Sequence, residues 1–357
     1  MIAGQRTRPH RGARRNRYPV PGGAPTQTPM ARFDLAIGGG RRGVYLKLER
    51  ENPGGSVKDR TARSLISDLE RRGLLAPDSV LVESTSGNLG VSLARIARSR
   101  GLRFVAVVDP AASAESVRRM RALGAAVETV EDRDRGGGYL LSRLRRVREL
   151  CQSSARFVWP DQYRNPANPL AHELGTGPEI LDQMGGEVEA ILVAVSTGGT
   201  LAGIAHFFRR ASAGTRLVAV DAIGSVALGG DVAPRLLTGI GASQPSRFLS
   251  SDLFDESILV GDREAFAVCR ALARASGLRV GGSSGAVIAA AARFLERENG
   301  ARRVVCLCPD GGERYGSTIF DDAWLGRHGL RLDDACPEPL QAILASGGGE
   351  STRPAAV

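Results

Sequence analysis

The sequence lacks the features that mark a secreted, membrane-spanning or disulfide-stabilised protein. Its 357 residues include only five cysteines, and a small, odd number of cysteines does not form a disulfide framework. No segment approaches the roughly 18 consecutive apolar residues that a membrane span needs. The first 30 residues also lack the apolar stretch of a secretory signal. The sequence therefore predicts a soluble protein of the cytoplasm with no membrane partner.

Lysine is almost absent from the chain. Of its 48 basic residues only Lys47 and Lys58 are lysines, and the others are arginine. A guanidinium group stays protonated in proteins and does not bond covalently to a carbonyl group, as an amine can. Each retained lysine is therefore a candidate for a role that arginine cannot take.

The formal net charge of +10 is typical of a nucleic-acid-binding protein, but its distribution argues against that function. Residues 1–18 hold six arginines and no acidic residue, which leaves +4 for the rest of the chain. With the Pro/Gly-rich stretch 19–29 they form a composition typical of disordered segments. We therefore predict a disordered Arg-rich tail over residues 1–25 and no nucleic-acid partner; an electrostatic arm for an anionic partner is the alternative for this tail.

Cys306 and Cys308 form a C-x-C motif, a spacing that can bind metal ions. They lie in the apolar run 304–308, which favours two buried strand positions over two metal ligands. We expect no metal site.

From residue 44 onward, short β-rich runs alternate with helical stretches, which is the pattern of a mostly parallel α/β sheet. The predicted strands are 44–49, 79–84, 103–109, 126–130, 156–159, 189–195, 216–222, 257–261 and 303–308. The predicted helices are 59–72, 87–100, 114–123, 139–151, 200–211, 263–276 and 284–298. Because ligands of open α/β sheets bind beyond the carboxyl ends of the strands, function is expected in the loops that follow strands.

Two of these loops combine small or hydroxyl residues with the start of a helix. The loop 52–60 has two glycines and places Lys58 at the helix N-terminus, where the positive end of the helix dipole favours the neutral amine. A surface turn with a solvated lysine is the alternative. The loop 83–88 offers hydroxyls and backbone amides that suit a carboxylate, although an ordinary helix cap has the same composition.

Two further loops are rich in glycine. The loop 196–200 follows the apolar strand 189–195 and offers backbone amides at a helix start, which suits a phosphate group. It lacks the lysine of the nucleotide-binding P-loop, which favours a cofactor phosphate over a nucleotide; a tight glycine turn is the alternative. The loop 281–285 leads into a helix of small residues and is uninformative by itself.

The order of these loops resembles that in one enzyme family. The motifs NPGGSVKDR, STSGN, STGGT, GGSSGA and PDGGERY, with the opening QTPM, occur in the order found in the cysteine synthase/cystathionine β-synthase family of fold type II pyridoxal-phosphate enzymes. The resemblance covers about residues 26–326. It implies two doubly wound open-sheet α/β domains with pyridoxal 5′-phosphate in the cleft between them. The implied boundaries are 44–165 for the smaller, mobile domain, 26–43 plus 166–327 for the cofactor-binding domain and 328–357 for a polar tail.

The resemblance also implies roles for single residues. Lys58 would carry the cofactor and be the catalytic residue. Asn88 would bond the 3′-oxygen of the cofactor ring, and Ser283 would face the pyridine nitrogen. A serine there leaves that nitrogen largely unprotonated, which suits β-elimination and β-replacement. The residues implied to hold the cofactor phosphate are Ser196, Thr197, Gly198, Gly199 and Thr200. Those implied to hold the substrate carboxylate are Thr85, Ser86, Asn88 and Gln162, and Ser84 is also implied to belong to the substrate site.

Within the family the chain looks closest to synthases of siderophore-type 2,3-diaminopropionate biosynthesis, which join O-phospho-L-serine to L-glutamate and release phosphate. The likeness lies in the segments 83–90, 107–110, 137–140, 161–163, 220–226 and 239–243.

Three positions bear on this choice of substrates. Sulfhydrylases of the family usually have Phe and Gly where this chain has Tyr163 and Ser196, and the added polar groups suit a charged acceptor. Arg143 matches a family arginine that binds an anionic group, with a solvated arginine as the alternative.

The alternative function is an O-phosphoserine or O-acetylserine sulfhydrylase that makes cysteine. The family also implies a homodimer.

Overall fold

The computed structural model describes residues 27–37, 40–133, 138–298 and 300–332 of the chain. Its strands are β1 (Met30–Ile37), β2 (Gly40–Leu48), β3 (Val80–Ser84), β4 (Arg103–Val108), β5 (Ala126–Thr129), β6 (Phe157–Val158), β7 (Ala190–Ala194), β8 (Arg216–Ala222), β9 (Glu256–Val260) and β10 (Val304–Cys308). Its α-helices are α1 (Lys58–Arg71), α2 (Asn88–Ser99), α3 (Ala114–Ala122), α4 (Leu140–Ser153), α5 (Ala167–Ala171), α6 (Gly177–Gln183), α7 (Gly199–Ala211), α8 (Asp262–Ser276), α9 (Gly282–Arg297) and α10 (Asp322–Arg327).

The strands form two sheets. The larger has six strands in the order β1-β2-β10-β7-β8-β9, and all its pairs are parallel except β1 with β2. Helices cover both of its faces, so its central strands are apolar on both sides. In β7, Ala190 and Leu192 lie in the core cluster that contains α8 and α9, while Ile191 and Val193 lie in the cluster that contains α6 and α7.

The smaller sheet has four parallel strands in the order β5-β4-β3-β6. Its central strand β3 is buried along its whole length. Leu81 shares a core cluster with α1, α2 and α3, whereas Val82 packs with Val147 of α4 on the other face. The α/β fold with two open, mostly parallel sheets is therefore as predicted, and every predicted strand is present within a few residues.

Several features differ from the sequence expectations, among them the short helix α10, which was not predicted. The edge strand β1 was not predicted, and the predicted strand 44–49 begins at Gly40, because the two pair as an antiparallel hairpin outside the alternating β/α pattern. The pairing of β2 with β10 places residues 44–48 in the larger sheet, on the other side of the predicted domain boundary at residue 44. The helical stretch 167–183, which includes a π-helical turn at His172–Thr176, was also not predicted.

Several expectations concern residues at the ends of the chain or the absence of a feature. The predicted tail at 1–25 lies outside the described residues, as does the predicted tail at 328–357 beyond residue 332. Within the described part of the second tail, Leu330 and Leu332 pack against the core of the larger sheet. Within the described ranges no helix is long and apolar enough to cross a membrane. In the same part of the chain, no group of three or more His, Cys, Asp or Glu side chains could hold a metal ion. Cys306 and Cys308 are buried in β10, which confirms the interpretation as strand positions.

Lys47 lies in β2 of the larger sheet and is completely buried. Its Nζ donates to the Thr28 carbonyl oxygen at 2.7 Å, to Glu179 Oε2 at 2.9 Å and to Gln183 Oε1 at 2.9 Å. Burial lowers the pKa of Lys47, and the Glu179 carboxylate opposes that shift. The three N–H donors of an ammonium group match these three acceptors, so this lysine has a structural role.

Replacing Lys47 with methionine should destabilise the fold, because the Thr28 carbonyl, Glu179 and Gln183 each lose a buried donor. We expect the free energy of unfolding to fall by about 3–5 kcal/mol, the usual cost of breaking a buried ion pair. Urea denaturation of the cofactor-free chain measures it. The matched control is Arg118→Met, which removes an exposed ion pair with Glu115 and should cost less than about 1 kcal/mol. Equal effects of the two substitutions would contradict the structural role of Lys47.

Candidate active site

Lys58 is the first residue of α1, as the sequence predicted, and the loop before it is held in place by backbone contacts. Val57 N donates to the Pro309 carbonyl at 2.8 Å, and Ser56 forms an isolated β-bridge with Asp310. The Lys58 amine makes no hydrogen bond to any residue that the structure describes. Burial lowers its pKa to about 8, and the charge of Asp310 opposes that shift. At neutral pH this amine is therefore close to the point where it gives up its proton.

Two glycines allow the Lys58 loop to adopt this path. Gly55 has a φ of +84°, which a residue with a side chain rarely adopts. A Cβ on Gly54 would lie 2.2 Å from Asp59 Oδ1, and Gly54 N donates to the same carboxylate. The NPGG sequence is thus required by the close approach of the loop to the start of α1.

The second loop connects β3 to α2 and lies across from the Lys58 loop. Thr85 Oγ1 accepts a hydrogen bond from Gly90 N at 2.9 Å, so it caps the first turn of α2. Asn88 is the first residue of α2, and its Nδ2 donates to Asp310 Oδ2 at 2.8 Å. Ser84 is fully buried at the end of β3, and its hydroxyl has no hydrogen-bond partner in the described structure. The loop thus presents Ser84, Thr85 and Asn88 at the carboxyl edge of the smaller sheet.

Gln162 joins the second loop from the other side. Its Nε2 donates to the Ser84 backbone carbonyl at 2.9 Å, and the backbone carbonyl of Gln162 accepts from Asn168 Nδ2 at 2.7 Å. The preceding residue, Asp161, has a φ of +54°, the one positive φ of a non-glycine residue in the described ranges. Such a strained backbone persists where the surroundings fix it, and it occurs most often at functional sites.

The third loop, residues 196–200, follows β7 of the larger sheet and leads into α7. Gly198 has a φ of +86° and precedes the helix, whose first turn holds no acidic residue. A Cβ on Gly198 would lie 2.1 Å from Ser246 Oγ, and one on Gly199 would lie 2.3 Å from Asn168 Oδ1. Thr197 Oγ1 accepts from Asn168 Nδ2 at 3.3 Å. The loop therefore combines close backbone approach with a helix start, which is the arrangement that binds phosphate groups.

Ser283 lies in the first turn of α9, where it is buried. A Cβ on Gly239 would lie 3.7 Å from Ser283 Oγ and 3.9 Å from Tyr315 Oη, so both hydroxyls lie beside this glycine. Tyr315 Oη in turn donates to Asp310 Oδ2 at 2.8 Å. Asn88 and Lys58 thus both interact with the buried Asp310, and Ser283 lies in the helix that follows the Gly281 contact of Asp310.

Arg143 and Tyr163 lie near each other beside the smaller sheet. Arg143, in α4, is 8% exposed, and its Nε lies 3.1 Å from Asp109 Oδ2 without the alignment of a hydrogen bond. Burial raises the pKa of Tyr163, and the positive charge of Arg143 opposes that shift. Arg143 is thus a buried guanidinium beside a tyrosine, and the alternative of a solvated arginine is wrong.

Three polar residues that connect these loops were not predicted to have a role in the site. Asp310 belongs to the PDGGERY motif, and His172 and Asn168 lie in the helical stretch that was not predicted. His172 Nε2 lies 3.2 Å from Thr61 Oγ1 in α1 and 3.3 Å from Thr200 Oγ1 in α7, so it bridges the two helices. Burial lowers the pKa of His172, which keeps the ring neutral. Only contacts between distant segments identify His172 and Asn168, whereas the PDGGERY motif is a sequence signal for Asp310.

The chain matches one family over most of its length. The sequence model of the family described as pyridoxal-phosphate dependent enzyme matches residues 23–310. The match includes all four loops described above.

Characterised relatives are similar over nearly the same region. An N-(2-amino-2-carboxyethyl)-L-glutamate synthase of Ralstonia nicotianae is 44% identical over 300 residues, which are 84% of this chain and 89% of that protein. A protein of the same name from Cupriavidus metallidurans is 42% identical, over 85% of this chain and 90% of that one. The crystal structure of the O-acetylserine dependent cystathionine beta-synthase from Helicobacter pylori is 32% identical, with a TM-score of 0.76, over 82% of this chain and 95% of that one.

Because Glu83 is buried, the free energy of unfolding should depend on pH. Burial raises the pKa of this carboxyl to about 8, although it accepts hydrogen bonds from Trp159 Nε1 and from the Ser84 and Gln162 amides. A pKa above the ordinary value means that the folded chain holds a proton that the unfolded chain loses. The contribution to stability is complete below about pH 4.5 and is lost as the pH rises through about 8, at up to about 1.4 kcal/mol per pH unit.

Glu83→Gln should remove this slope between pH 5 and pH 8, whatever its effect on stability at one pH. Urea denaturation at several pH values measures it. Glu187→Gln, a substitution at an exposed side chain, is the control and should keep the slope. An unchanged slope in Glu83→Gln would show that Glu83 is charged throughout.

Proposed function

The chain belongs to the family of pyridoxal-phosphate dependent enzymes, and we propose that Lys58 is the residue that carries its cofactor. The position of Lys58 at the start of α1 supports this, as does the effect of burial, which lowers its pKa to about 8. The only other lysine, Lys47, is buried in a network of three hydrogen bonds and has no access to a ligand. The residues around Lys58 fit the cofactor, since polar groups for each of its parts lie around one cleft.

The phosphate group of the cofactor would lie on the third loop. The residues proposed to hold it are Ser196, Thr197, Gly198, Gly199 and Thr200. Two observations support the assignment: no side chain fits on Gly198 or Gly199 without a clash, and the first turn of α7 carries no acidic residue. Asn88 would donate to the ring oxygen, and Ser283 would meet the ring nitrogen.

Pyridoxal phosphate, when bound, withdraws electrons from the α-carbon of an amino acid, so that the Cα proton and then the β-substituent can leave. In the proposed mechanism the neutral amine of Lys58 takes the Cα proton and later returns it. An amine with a pKa of about 8 suits both directions of this transfer near neutral pH. The substrate carboxylate would be held by Ser84, Thr85, Ser86, Asn88 and Gln162.

We propose that the reaction is a β-replacement that joins O-phospho-L-serine to L-glutamate. The Cβ–O bond of phosphoserine breaks, the glutamate nitrogen forms a bond to the same Cβ, and phosphate and N-(2-amino-2-carboxyethyl)-L-glutamate leave. The product is a precursor of 2,3-diaminopropionate. The observation that carries the proposal is the identity of 42–44% to two synthases that bear this product's name. Arg143 beside Tyr163 supplies a buried positive charge that suits an anionic substrate.

The assembly and the domain motion are proposals that rest on the family resemblance. We propose a homodimer in the cytoplasm. We further propose that a smaller domain, centred on the sheet β5-β4-β3-β6, moves relative to a cofactor-binding domain that includes β1 and β2.

The direct test of the reaction is phosphate release from O-phospho-L-serine by the purified, cofactor-loaded protein, with and without L-glutamate. We expect release that depends on glutamate and a product with the mass of the conjugate. Release that responds only to sulfide would instead establish a sulfhydrylase that makes cysteine. Lys58→Ala should abolish turnover, and measurable product from that variant would contradict the role of Lys58.

The role of Arg143 has its own test. Arg143→Gln should raise KM for one of the two anionic substrates about 10- to 100-fold, the effect of a lost charged hydrogen bond. Arg146→Gln is the matched control, because Arg146 lies in the same helix but pairs with Glu128 and Glu149 at the surface. KM values that change equally in the two variants would contradict a substrate contact of Arg143.

A further inference from the structure

Asp310 follows β10 by two residues and lies where the loops of the site meet. Its backbone forms a β-bridge with Ser56, and its carbonyl accepts from Gly281 N at 3.3 Å. It therefore joins the loop that precedes Lys58 to the loop that precedes Ser283. The side chain is 1% exposed.

The two oxygens of this carboxylate differ. Oδ2 accepts from Asn88 Nδ2 and from Tyr315 Oη, both at 2.8 Å. Oδ1 is buried and has no hydrogen-bond partner in the described residues. An unpaired buried carboxylate oxygen costs free energy, and burial raises the pKa of Asp310, which the Asn88 and Tyr315 hydrogen bonds oppose. A nearby positive charge offsets the cost of the charged form. The charge of Asp310 is the one that acts on the Lys58 amine against the effect of burial.

We propose that Asp310 is a positioning residue of the active site: its carboxylate stabilises the protonated Lys58 amine and orients the Asn88 amide. The inference rests on the proposed function for the roles of Lys58 and Asn88. One N–H of the Asn88 amide is used by Asp310, and the hydrogen bond fixes the amide plane. The second N–H is thereby left for the ring oxygen of the cofactor.

The proton affinity of Lys58 depends on the charged and titratable groups around Asp310 and Lys58. Those that face Asp310 are Arg314, Glu313, Tyr315, Cys269 and Cys308. On the side of Lys58 lies His172, which interacts with the charges of both Lys58 and Arg60. The two thiols are neutral, because burial raises the pKa of Cys269 and raises that of Cys308 to about 12. Burial likewise keeps Tyr315 and His172 neutral. Asp310 is thus the carboxylate through which the proton affinity of Lys58 is adjusted.

The test measures the proton affinity of Lys58 directly in the full-length, cofactor-free protein. Trace acetic anhydride reacts only with a neutral amine, and peptide mass spectrometry gives the extent of Lys58 acetylation at each pH. The second lysine, Lys47, is fully buried and does not interfere. Because Asp310 favours the protonated amine, Asp310→Asn should move the acetylation curve to lower pH by about one unit, the usual effect of a close opposite charge. At pH 7 the acetylation rate should rise about fivefold, because the neutral fraction of the amine rises from about one tenth to about one half.

Three further variants complete the design. Asp310→Glu keeps the charge and should keep the curve near that of the unmodified protein. Glu313→Gln removes a carboxylate of the same turn that pairs with Arg50 at the surface, and should leave the curve unchanged. If Asp310→Asn does not fold, Asp310→Ser gives the same loss of charge in a smaller side chain. An Asp310→Asn curve that coincides with that of the unmodified protein, or lies at higher pH, overturns the proposal.

The pH dependence of turnover provides a second measurement of the effect of Asp310 on Lys58. The acid limb of kcat against pH, which reports groups of the enzyme–substrate complex, should shift to lower pH in Asp310→Asn, a change that a merely structural role would not produce. The acetylation measurement involves neither substrate, so it stands if the proposed reaction is wrong. Conversely, glutamate-dependent phosphate release by the unmodified protein stands if the role of Asp310 is wrong.

Discussion

Burial of the Lys58 amine lowers its pKa to about 8, and the surrounding structure maintains this state. A lysine on the surface keeps its proton up to about pH 10. Here the amine starts α1, where the helix dipole also disfavours a positive charge. The nearby Asp310 carboxylate limits the shift, so that the amine can both accept and return a proton near neutral pH. Backbone bonds from Val57 to Pro309 and from Ser56 to Asp310 fix the amine relative to the larger sheet.

Polar side chains connect the two sheets at their carboxyl edges. Asn88, at the edge of the smaller sheet, bonds to Asp310 at the edge of the larger one. His172 contacts hydroxyls of both α1 and α7, and its neutral ring can do so without an ionic partner. Each bond is buried or partly buried, where an unpaired polar group would be costly. The cleft is thus defined by contacts that also determine where its reactive groups point.

The sequence predicted every strand except β1, most helices and all four loops, because alternating apolar runs and glycine-rich turns are local signals. Local signals do not reveal which distant side chains meet. The hairpin strand β1 pairs outside the βα pattern, and the π-helical turn with His172 resembles any other helical stretch in sequence. The positive φ of Asp161 and the central position of Asp310 depend on tertiary contacts alone. Lys58 was identifiable because arginine replaced lysine at almost every other basic position.

The central claim is that Lys58 carries the cofactor. Sodium borohydride attaches pyridoxal phosphate irreversibly to the lysine that holds it, and peptide mass spectrometry of the reduced protein then locates the modification. The chain has two lysines, so the result is unambiguous. The account predicts the cofactor on the peptide that contains Lys58 and unmodified Lys47. Modification of Lys47, or a bound cofactor that reduction attaches to neither lysine, would contradict it.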